Sequence, residues 1–127
     1  MNICLIGYNL TNFLLAISLS KKGFEVDIIF DEKNKSKSNN RTIGISKKNI
    51  EFLKSILNIP NQFLWPIFQI EILNLKNNPS KKIKFKDDKD ENFFLIKQND
   101  LFQLSEKKCK QLKNIYFSKC TPNEILK

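Results

Sequence analysis

Residues 3–31 read ICLIGYNLTNFLLAISLSKKGFEVDIIFD, and this stretch decides the fold. A short apolar run leads into a turn at Gly7, an apolar stretch of helical length follows, and a second apolar run ends at Asp31. The order predicts a strand, a tight turn, a helix and a second strand parallel to the first. Such a unit is typical of dinucleotide sites, where a pyrophosphate meets backbone N–H groups and the helix dipole.

The turn itself, GYNLTN at residues 7–12, matches the dinucleotide fingerprint only in part. That fingerprint has Gly at three positions, and Asn9 and Asn12 occupy the second and third of them here. Gly7 can make the tight turn, and Asn tolerates a left-handed backbone better than other non-glycine residues. The two Asn side chains nevertheless enter the gaps that glycines leave for the pyrophosphate and for helix packing. The turn therefore predicts either a degenerate dinucleotide site or an ordinary turn between strand and helix.

Two charged residues beyond this turn are candidates for ligand contacts. Asp31 lies about 20 residues after Asn12, the separation expected for an acid that binds a ribose hydroxyl. The alternative is that Asp31 only begins a solvated loop. Arg41 is the only Arg in a chain that otherwise uses Lys, and a planar guanidinium binds phosphate or ribose in a way that Lys does not reproduce. The alternative for Arg41 is a surface position without a ligand.

Composition excludes several classes of function. The net charge is +9, but the Lys residues are scattered and mixed with acids, as at residues 87–91, so we expect no nucleic-acid partner. The chain has no His and no closely paired Cys, which argues against a metal site and against Ser-His or Cys-His catalysis. Three free Cys indicate a reducing, cytoplasmic compartment, with Cys4 buried in the first strand. No apolar window is long enough to predict a membrane-spanning helix.

The remaining chain alternates strands and helices. The aromatic segment at residues 63–66 is expected to pack in the core or between domains. Residues 68–72 and 83–85 alternate apolar and polar side chains and predict an antiparallel hairpin from a second layer. The other predicted elements are an extended piece at 41–45, a helix at 47–57 capped by Ser46 with a core-facing stripe of Ile50, Leu53, Ile56 and Leu57, a strand at 93–96, a helix capped by Asn99 or Asp100, and a strand at 115–117.

Several segments together resemble the FAD-dependent aromatic-ring monooxygenases, and most closely the ubiquinone-biosynthesis hydroxylases. The first are the glycine turn, KGFEV at 22–26 and RTIGIS at 41–46. WPI followed by IEI, within residues 65–72, is similar to the entry of that branch into its substrate-domain sheet, and KQNDL at 97–101 resembles the return to the flavin domain. The resemblance spans nearly the whole chain but only about the first third of a typical member.

The resemblance implies a flavin-dependent hydroxylase of a small aromatic substrate with FAD as cofactor. The turn of Gly7, Asn9 and Asn12 would hold the pyrophosphate, Asp31 the ribose, and Arg41 would contact the cofactor. Asn99 stands where members usually carry Arg, and Phe30 stands at the ungapped position of the acid, one residue before Asp31. No catalytic residue is implied, because the flavin supplies the hydroxylation chemistry.

These observations predict an α/β fold: a truncated, Rossmann-like FAD-binding domain with a β-hairpin from a second layer. Residues 1–66 and 87–127 would form the FAD-binding portion, and residues 67–86 would begin the substrate-domain sheet. The chain would end before the later Asp-Gly and Gly-Asp-Ala segments of the family. We therefore expect a homo-oligomer or a partner that carries the missing C-terminal part, and peripheral membrane association is a further expectation. The alternative is a non-catalytic remnant or interaction module that keeps the fold without FAD.

Overall fold

The computed structural model describes residues 2–34, 41–73, 82–86 and 93–120. Its first three elements are the strand, helix and strand predicted from the opening sequence. In chain order the elements are β1 (Asn2–Ile6), α1 (Leu10–Ser20), β2 (Glu25–Phe30), β3 (Thr42–Ser46), α2 (Lys47–Ile56), β4 (Trp65–Ile67), β5 (Gln69–Leu73), β6 (Lys82–Lys86), β7 (Phe93–Lys97), α3 (Gln98–Gln111) and β8 (Ile115–Lys119), with 3-10 turns at Glu32–Asn34 and Asn61–Phe63.

A parallel three-stranded sheet in the order β1-β2-β8 carries the N-terminal unit. Val26, Ile28 and Phe30 of β2 are buried on the face that α1 and α3 cover. The alternate residues point to the opposite face, which no described element covers. Cys4 lies on that open face and is exposed, so its predicted burial is wrong. The reason is the alternation of side chains along a strand, since only one face of this sheet packs on helices.

Gly23 closes the C-terminal end of α1. Gly23 has a positive φ of +86°, and the N–H groups of Gly23 and Phe24 donate to the carbonyls of Ser20 and Leu19. This is how an αL residue closes a helix. The sequence predicts a helix over about residues 11–22, but α1 ends at Ser20 because the closing turn takes up Lys21 and Lys22.

A second sheet in the order β3-β7-β4 is antiparallel, and α2 packs beside it. The predicted stripe of α2 is confirmed, as all four of its residues are buried. Ser46 stands at the cap position, but its side chain makes no capping hydrogen bond. In the aromatic segment 63–66, Leu64 is buried whereas Trp65 is exposed.

The predicted hairpin is confirmed as a separate antiparallel pair, β5-β6. Phe68 lies just before β5 and is exposed, so it does not belong to the half-buried face that the alternation predicted. The sequence NNPS at residues 77–80, which predicts the turn of this hairpin, and the acidic stretch at 87–91 lie outside the described residues.

The first turn of α3 differs from the prediction of a cap at Asn99 or Asp100. The helix begins at Gln98, and Lys97 stands at the cap position without a side-chain hydrogen bond. The Gln98 N–H instead donates to the carbonyl of Arg41 at 2.9 Å. The carbonyl of Arg41, the residue before β3, therefore satisfies one of the backbone N–H groups that have no partner within the helix.

An aromatic cluster joins the N-terminal unit to α3 and β8. Tyr8 lies at its centre, with ring centroids 4.9 Å from Phe13, 4.7 Å from Phe30, 6.2 Å from Phe102 and 6.0 Å from Phe117. Rings at such distances add to the stabilisation that their burial supplies. Among the helices that the structure describes, none is both long and apolar enough to cross a membrane.

Candidate functional site

The turn after β1 forms at Gly7. Gly7 has a φ of +114°, which side chains rarely adopt, and its N–H donates to the carbonyl of Ile29 at 2.7 Å. A Cβ at this position would lie 2.9 Å from Nδ2 of Asn9 and 3.5 Å from Nδ2 of Asn12. Both the backbone conformation and the neighbouring amides therefore require Gly here.

Asn12 braces the turn from the helix side. Its Nδ2 donates to the carbonyls of Ile6 and Gly7, each at 2.8 Å, which uses both amide hydrogens. The side chain thus ties the first turn of α1 to the end of β1. An Asn fits where the fingerprint has its third glycine because its amide satisfies the strand-end carbonyls.

Asn9 caps α1. Its Oδ1 accepts a hydrogen bond from the Asn12 N–H at 3.0 Å, and its own backbone is extended with a φ of −145°. The left-handed conformation that an Asn tolerates is therefore not used, because no described residue other than Gly has a positive φ. One of the N–H groups that a bound anion would meet at this helix end already has a partner.

The side chain of Tyr8 points from the glycine turn into the core. It is buried, and its hydroxyl donates to Oε1 of Glu106, which also accepts from Nζ of Lys110. Burial and the Glu106 carboxylate raise the pKa of Tyr8 above its ordinary value. Burial, with a smaller effect of Glu106, raises the pKa of Cys109 to about 12. Sequence reasoning missed this link, because nothing local relates Tyr8 to a carboxylate 98 residues away.

Asp31, the acid at the end of β2, accepts a hydrogen bond from a nearby residue of the chain. Phe30 is buried in the aromatic cluster, so no ligand contact is available at the ungapped acid position. Asp31 follows it, half-buried, and its Oδ1 accepts from the Lys33 N–H at 2.9 Å. Beside it, Nζ of Lys119 pairs with Oε1 of Glu32 at 2.5 Å, an ion pair that the sequence did not predict.

A backbone hydrogen bond from the Gln98 N–H to the carbonyl of Arg41 joins Arg41 to the start of α3, the helix that carries Asn99. The Arg41 side chain is exposed. The Oδ1 atom of Asn99 is buried and has no hydrogen-bond partner among the described residues. A buried oxygen of this kind accepts from an N–H, a hydroxyl or a water, and an ionised phosphate offers none of these. The Oδ1 atom of Asn99 can therefore accept from a hydroxyl, but the uncharged side chain does not supply the positive charge of the Arg that the resemblance places at this position.

The structure gathers the segments that carry the predicted site residues. Gly7 and Asp31 each follow the carboxyl end of a parallel strand, the edge where ligands bind in open α/β sheets. The ring of Tyr8 contacts Phe30 and Phe102, so the turn, the end of β2 and the first half of α3 share one cluster. Asn99 lies in α3 one turn before Phe102, and Arg41 is linked to the start of α3 by its hydrogen bond with Gln98.

Two cavities lie away from these residues. One, of about 210 Å³, is on the open sheet face and is lined by Cys4, Asp27 and Tyr116 among others. Another, of about 350 Å³, lies between the end of α2 and α3 beside Lys107 and Lys108. Within the described part of the chain no group of acidic or Cys residues could hold a metal ion.

Comparison with known proteins gives a likeness of fold. No protein-family model and no curated protein matches the sequence. Among solved structures, the chain is similar to PqsL, a probable FAD-dependent monooxygenase from Pseudomonas aeruginosa, with a TM-score of 0.68 at 10% identity over 94% of this chain and 32% of that one. It is similar to p-nitrophenol 4-monooxygenase PnpA from Pseudomonas putida DLL-E4, with a TM-score of 0.67 at 16% identity over 93% and 32%.

A third similar structure is the tetrameric form of 2-methyl-3-hydroxypyridine-5-carboxylic acid oxygenase, with a TM-score of 0.69 at 13% identity over 93% of this chain and 31% of that one. The chain thus spans about a third of the length of each of these proteins. The likeness covers nearly all of this chain and concerns its fold.

Proposed function

We propose that this chain is the N-terminal FAD-binding portion of a flavin-dependent monooxygenase that hydroxylates a small aromatic substrate. The observation that carries the proposal is the glycine turn between β1 and α1, at the carboxyl edge of a parallel sheet. The chain that carries this turn is similar in fold, over 94% of its length, to a probable FAD-dependent monooxygenase. An aligned helix N-terminus at such an edge attracts a pyrophosphate.

Different residues of this chain would bind different parts of FAD. The turn of Gly7, Asn9 and Asn12, with the N-terminus of α1, would hold the pyrophosphate. Asp31 would accept from a ribose hydroxyl, Arg41 would add a positive charge, and Asn99 would accept from a further hydroxyl of FAD. When bound, the flavin supplies the redox chemistry of hydroxylation, and this chain binds and orients it.

The substrate, location and assembly that we propose are those implied by the resemblance to the ubiquinone-biosynthesis hydroxylases. The substrate would be a ubiquinone-precursor-like aromatic ring, and residues 67–86 would begin the sheet that binds it. The protein would act in the cytoplasm with peripheral membrane association. It would work as a homo-oligomer or with a partner that carries the remaining motifs of the enzyme.

An affinity measurement tests the proposal. FAD titrated into the purified chain, followed by flavin fluorescence, should give saturable binding at one site. Arg41→Gln should weaken this binding about tenfold, since a charge-assisted contact is lost, whereas Lys48→Gln on the exposed face of α2 should leave it unchanged. No saturable binding at any accessible FAD concentration would overturn the proposal.

A second candidate function is a non-catalytic interaction module that keeps the fold and no longer binds FAD. Two observations favour it: the cap that Asn9 places on α1, and the burial of Phe30 at the ungapped acid position. A folded chain with no FAD affinity is the result that this candidate predicts.

A further inference from the structure

We propose that the cavity between the end of α2 and α3 binds a small carboxylate with an apolar body, held between the ammonium groups of Lys107 and Lys108. The cavity has a volume of about 350 Å³ and is lined by Leu57, Asn58, Leu104, Lys107, Lys108 and Gln111. This volume lies at the lower end of the range for small-molecule sites. The proposal goes beyond the proposed function, because no part of FAD is assigned to this cavity.

The two walls of the cavity come from two helices. The four residues that α3 contributes are three or four positions apart or adjacent, so they lie on one face of that helix. The helix α2 ends at Ile56, and Leu57 already has an extended backbone with a φ of −125° and a ψ of 143°. The chain therefore leaves the helix at this point, and Leu57 and Asn58 form the wall opposite α3.

The charge of the cavity is positive. None of the residues that line it is acidic, and among the described residues neither Lys107 nor Lys108 forms an ion pair. Lys110 of the same helix differs, since its Nζ pairs with the Glu106 carboxylate. Two ammonium groups that border one cavity repel each other, and an anion between them lowers the electrostatic energy. The protein walls of a cleft strengthen this attraction.

The floor of the cavity is apolar. Leu57 is buried and Leu104 is half-buried, so hydrocarbon lies beside the two ammonium groups. An inorganic anion would leave this surface in contact with water, whereas the ring of an organic acid would cover it. The carboxamides of Asn58 and Gln111 can donate to a carboxylate or accept from a hydroxyl on the ring. The lining therefore matches a small organic acid better than a bare anion.

The cavity is separate from the residues proposed to bind FAD. Asn99 lies in the first turn of α3, and Lys107 lies eight residues later, about 12 Å further along the helix axis. Binding at the cavity and binding at the glycine turn can therefore be followed by different amide resonances.

The experiment titrates the isotope-labelled chain with three probes and follows the amide resonances of Leu104, Lys108 and Gln111. Benzoate carries a ring and a charge, benzamide carries the ring alone, and inorganic phosphate carries the charge alone. Benzoate should give saturable shifts with a Kd of about 1 mM. Benzamide and phosphate should each bind about tenfold more weakly, because each lacks one of the two interactions.

A pair of double variants tests the lysines. Lys107→Gln with Lys108→Gln removes both ammonium groups and keeps good helix formers, so circular dichroism should show an intact fold. This variant should raise the Kd for benzoate about tenfold. Lys22→Gln with Lys48→Gln, at exposed positions outside the cavity, removes the same net charge and should leave the Kd unchanged.

Each other result would overturn a stated part of the proposal. Benzamide that binds as tightly as benzoate, or an equal Kd for benzoate in both double variants, would overturn the role of the lysines. Phosphate that binds as tightly as benzoate would overturn the role of the apolar floor. No saturable shift with any probe would overturn the site and leave the proposed function standing. Equal FAD affinity in the two double variants would support the separation of the cavity from the FAD site.

Discussion

At the scale of single residues, the three glycines of the described chain differ in what they require. Gly7 combines a φ of +114° with an amide nitrogen 2.9 Å from the point where a Cβ would stand, Gly23 has a φ of +86° with open space, and Gly44 meets only Leu95 at 3.8 Å. Strain therefore acts at the first two positions and crowding only at the first.

Alanine at each glycine should reproduce that order. We expect Gly7→Ala to lower the free energy of unfolding by about 2 kcal/mol, Gly23→Ala by about 1 kcal/mol, and Gly44→Ala by less than either. Urea denaturation followed by circular dichroism measures all three. A Gly7→Ala protein as stable as Gly44→Ala would contradict the turn described here.

Asn12→Ala tests the brace between β1 and α1. The change removes two hydrogen bonds, to the carbonyls of Ile6 and Gly7, so we expect a loss of about 1–2 kcal/mol in the free energy of unfolding. Asn58→Ala, at an exposed position after α2, is the matched control and should change stability little. Similar effects of both substitutions would mean that the brace adds nothing to stability.

The sequence predicts part of this residue-level geometry. Gly7 follows an apolar strand, and a turn there needs no distant partner to be recognised. The extended backbone of Asn9 and the burial of Tyr8 could not be predicted, because they depend on the N–H of Asn12 and on the rings of α3 and β8. Asp31 has the expected position, but its bond to Lys33 arises from the path of the next turn.

At the scale of elements, the hydrogen bond from Tyr8 to Glu106 joins the turn of α1 to α3. The neutral forms of Tyr8 and Cys109 are favoured in the fold, since both pKa values are raised. In the unfolded chain a Cys loses its proton near pH 9 and a Tyr near pH 10. The unfolded state then binds fewer protons than the folded one, so stability falls as pH rises above about 9.

This linkage predicts the alkaline behaviour of two variants. Each group should contribute a loss of up to about 1.4 kcal/mol per pH unit once its unfolded form titrates. Tyr8→Phe removes one group, so its free energy of unfolding should decline less steeply than that of wild type between about pH 9 and 11. Tyr116→Phe, at an exposed position, should follow wild type. Urea denaturation across this pH range decides, and parallel curves for all three proteins would contradict the linkage.

Periodicity in the sequence predicts most elements, because the apolar stripe of α2 and the alternation in β5 are local. The start of α3 could not be predicted, since its first N–H pairs with the carbonyl of Arg41 far away in the chain. The same limit applies to sheet order, because strands β3, β4 and β7 come from separate parts of the sequence.

At the scale of the whole molecule, the parallel sheet is covered on one face only within the described residues. Ile6 is 61% exposed and Tyr116 is 51% exposed on the other face. Parallel sheets usually bury both faces, and apolar side chains exposed on an uncovered face favour association.

We therefore expect the purified chain to associate as its concentration rises. The double substitution Ile6→Lys and Tyr116→Lys should shift the chain toward monomer in light scattering coupled to size-exclusion chromatography. Leu15→Lys, on the exposed side of α1, is the control and should leave association unchanged. A wild-type chain that stays monomeric at high concentration would contradict this expectation.

Amide chemical shifts can show whether the turn at residues 7–12 receives the pyrophosphate of FAD, as we propose. In a titration of the isotope-labelled chain with FAD, we expect the amide resonances of Gly7, Asn9 and Asn12 to shift together and saturate, and those near Asp31 to shift as well. The amides around Lys107 and Lys108, beside the cavity between α2 and α3, should remain in place. Unchanged turn amides at saturating FAD, or shifts confined to that cavity, would contradict the placement of FAD at this turn.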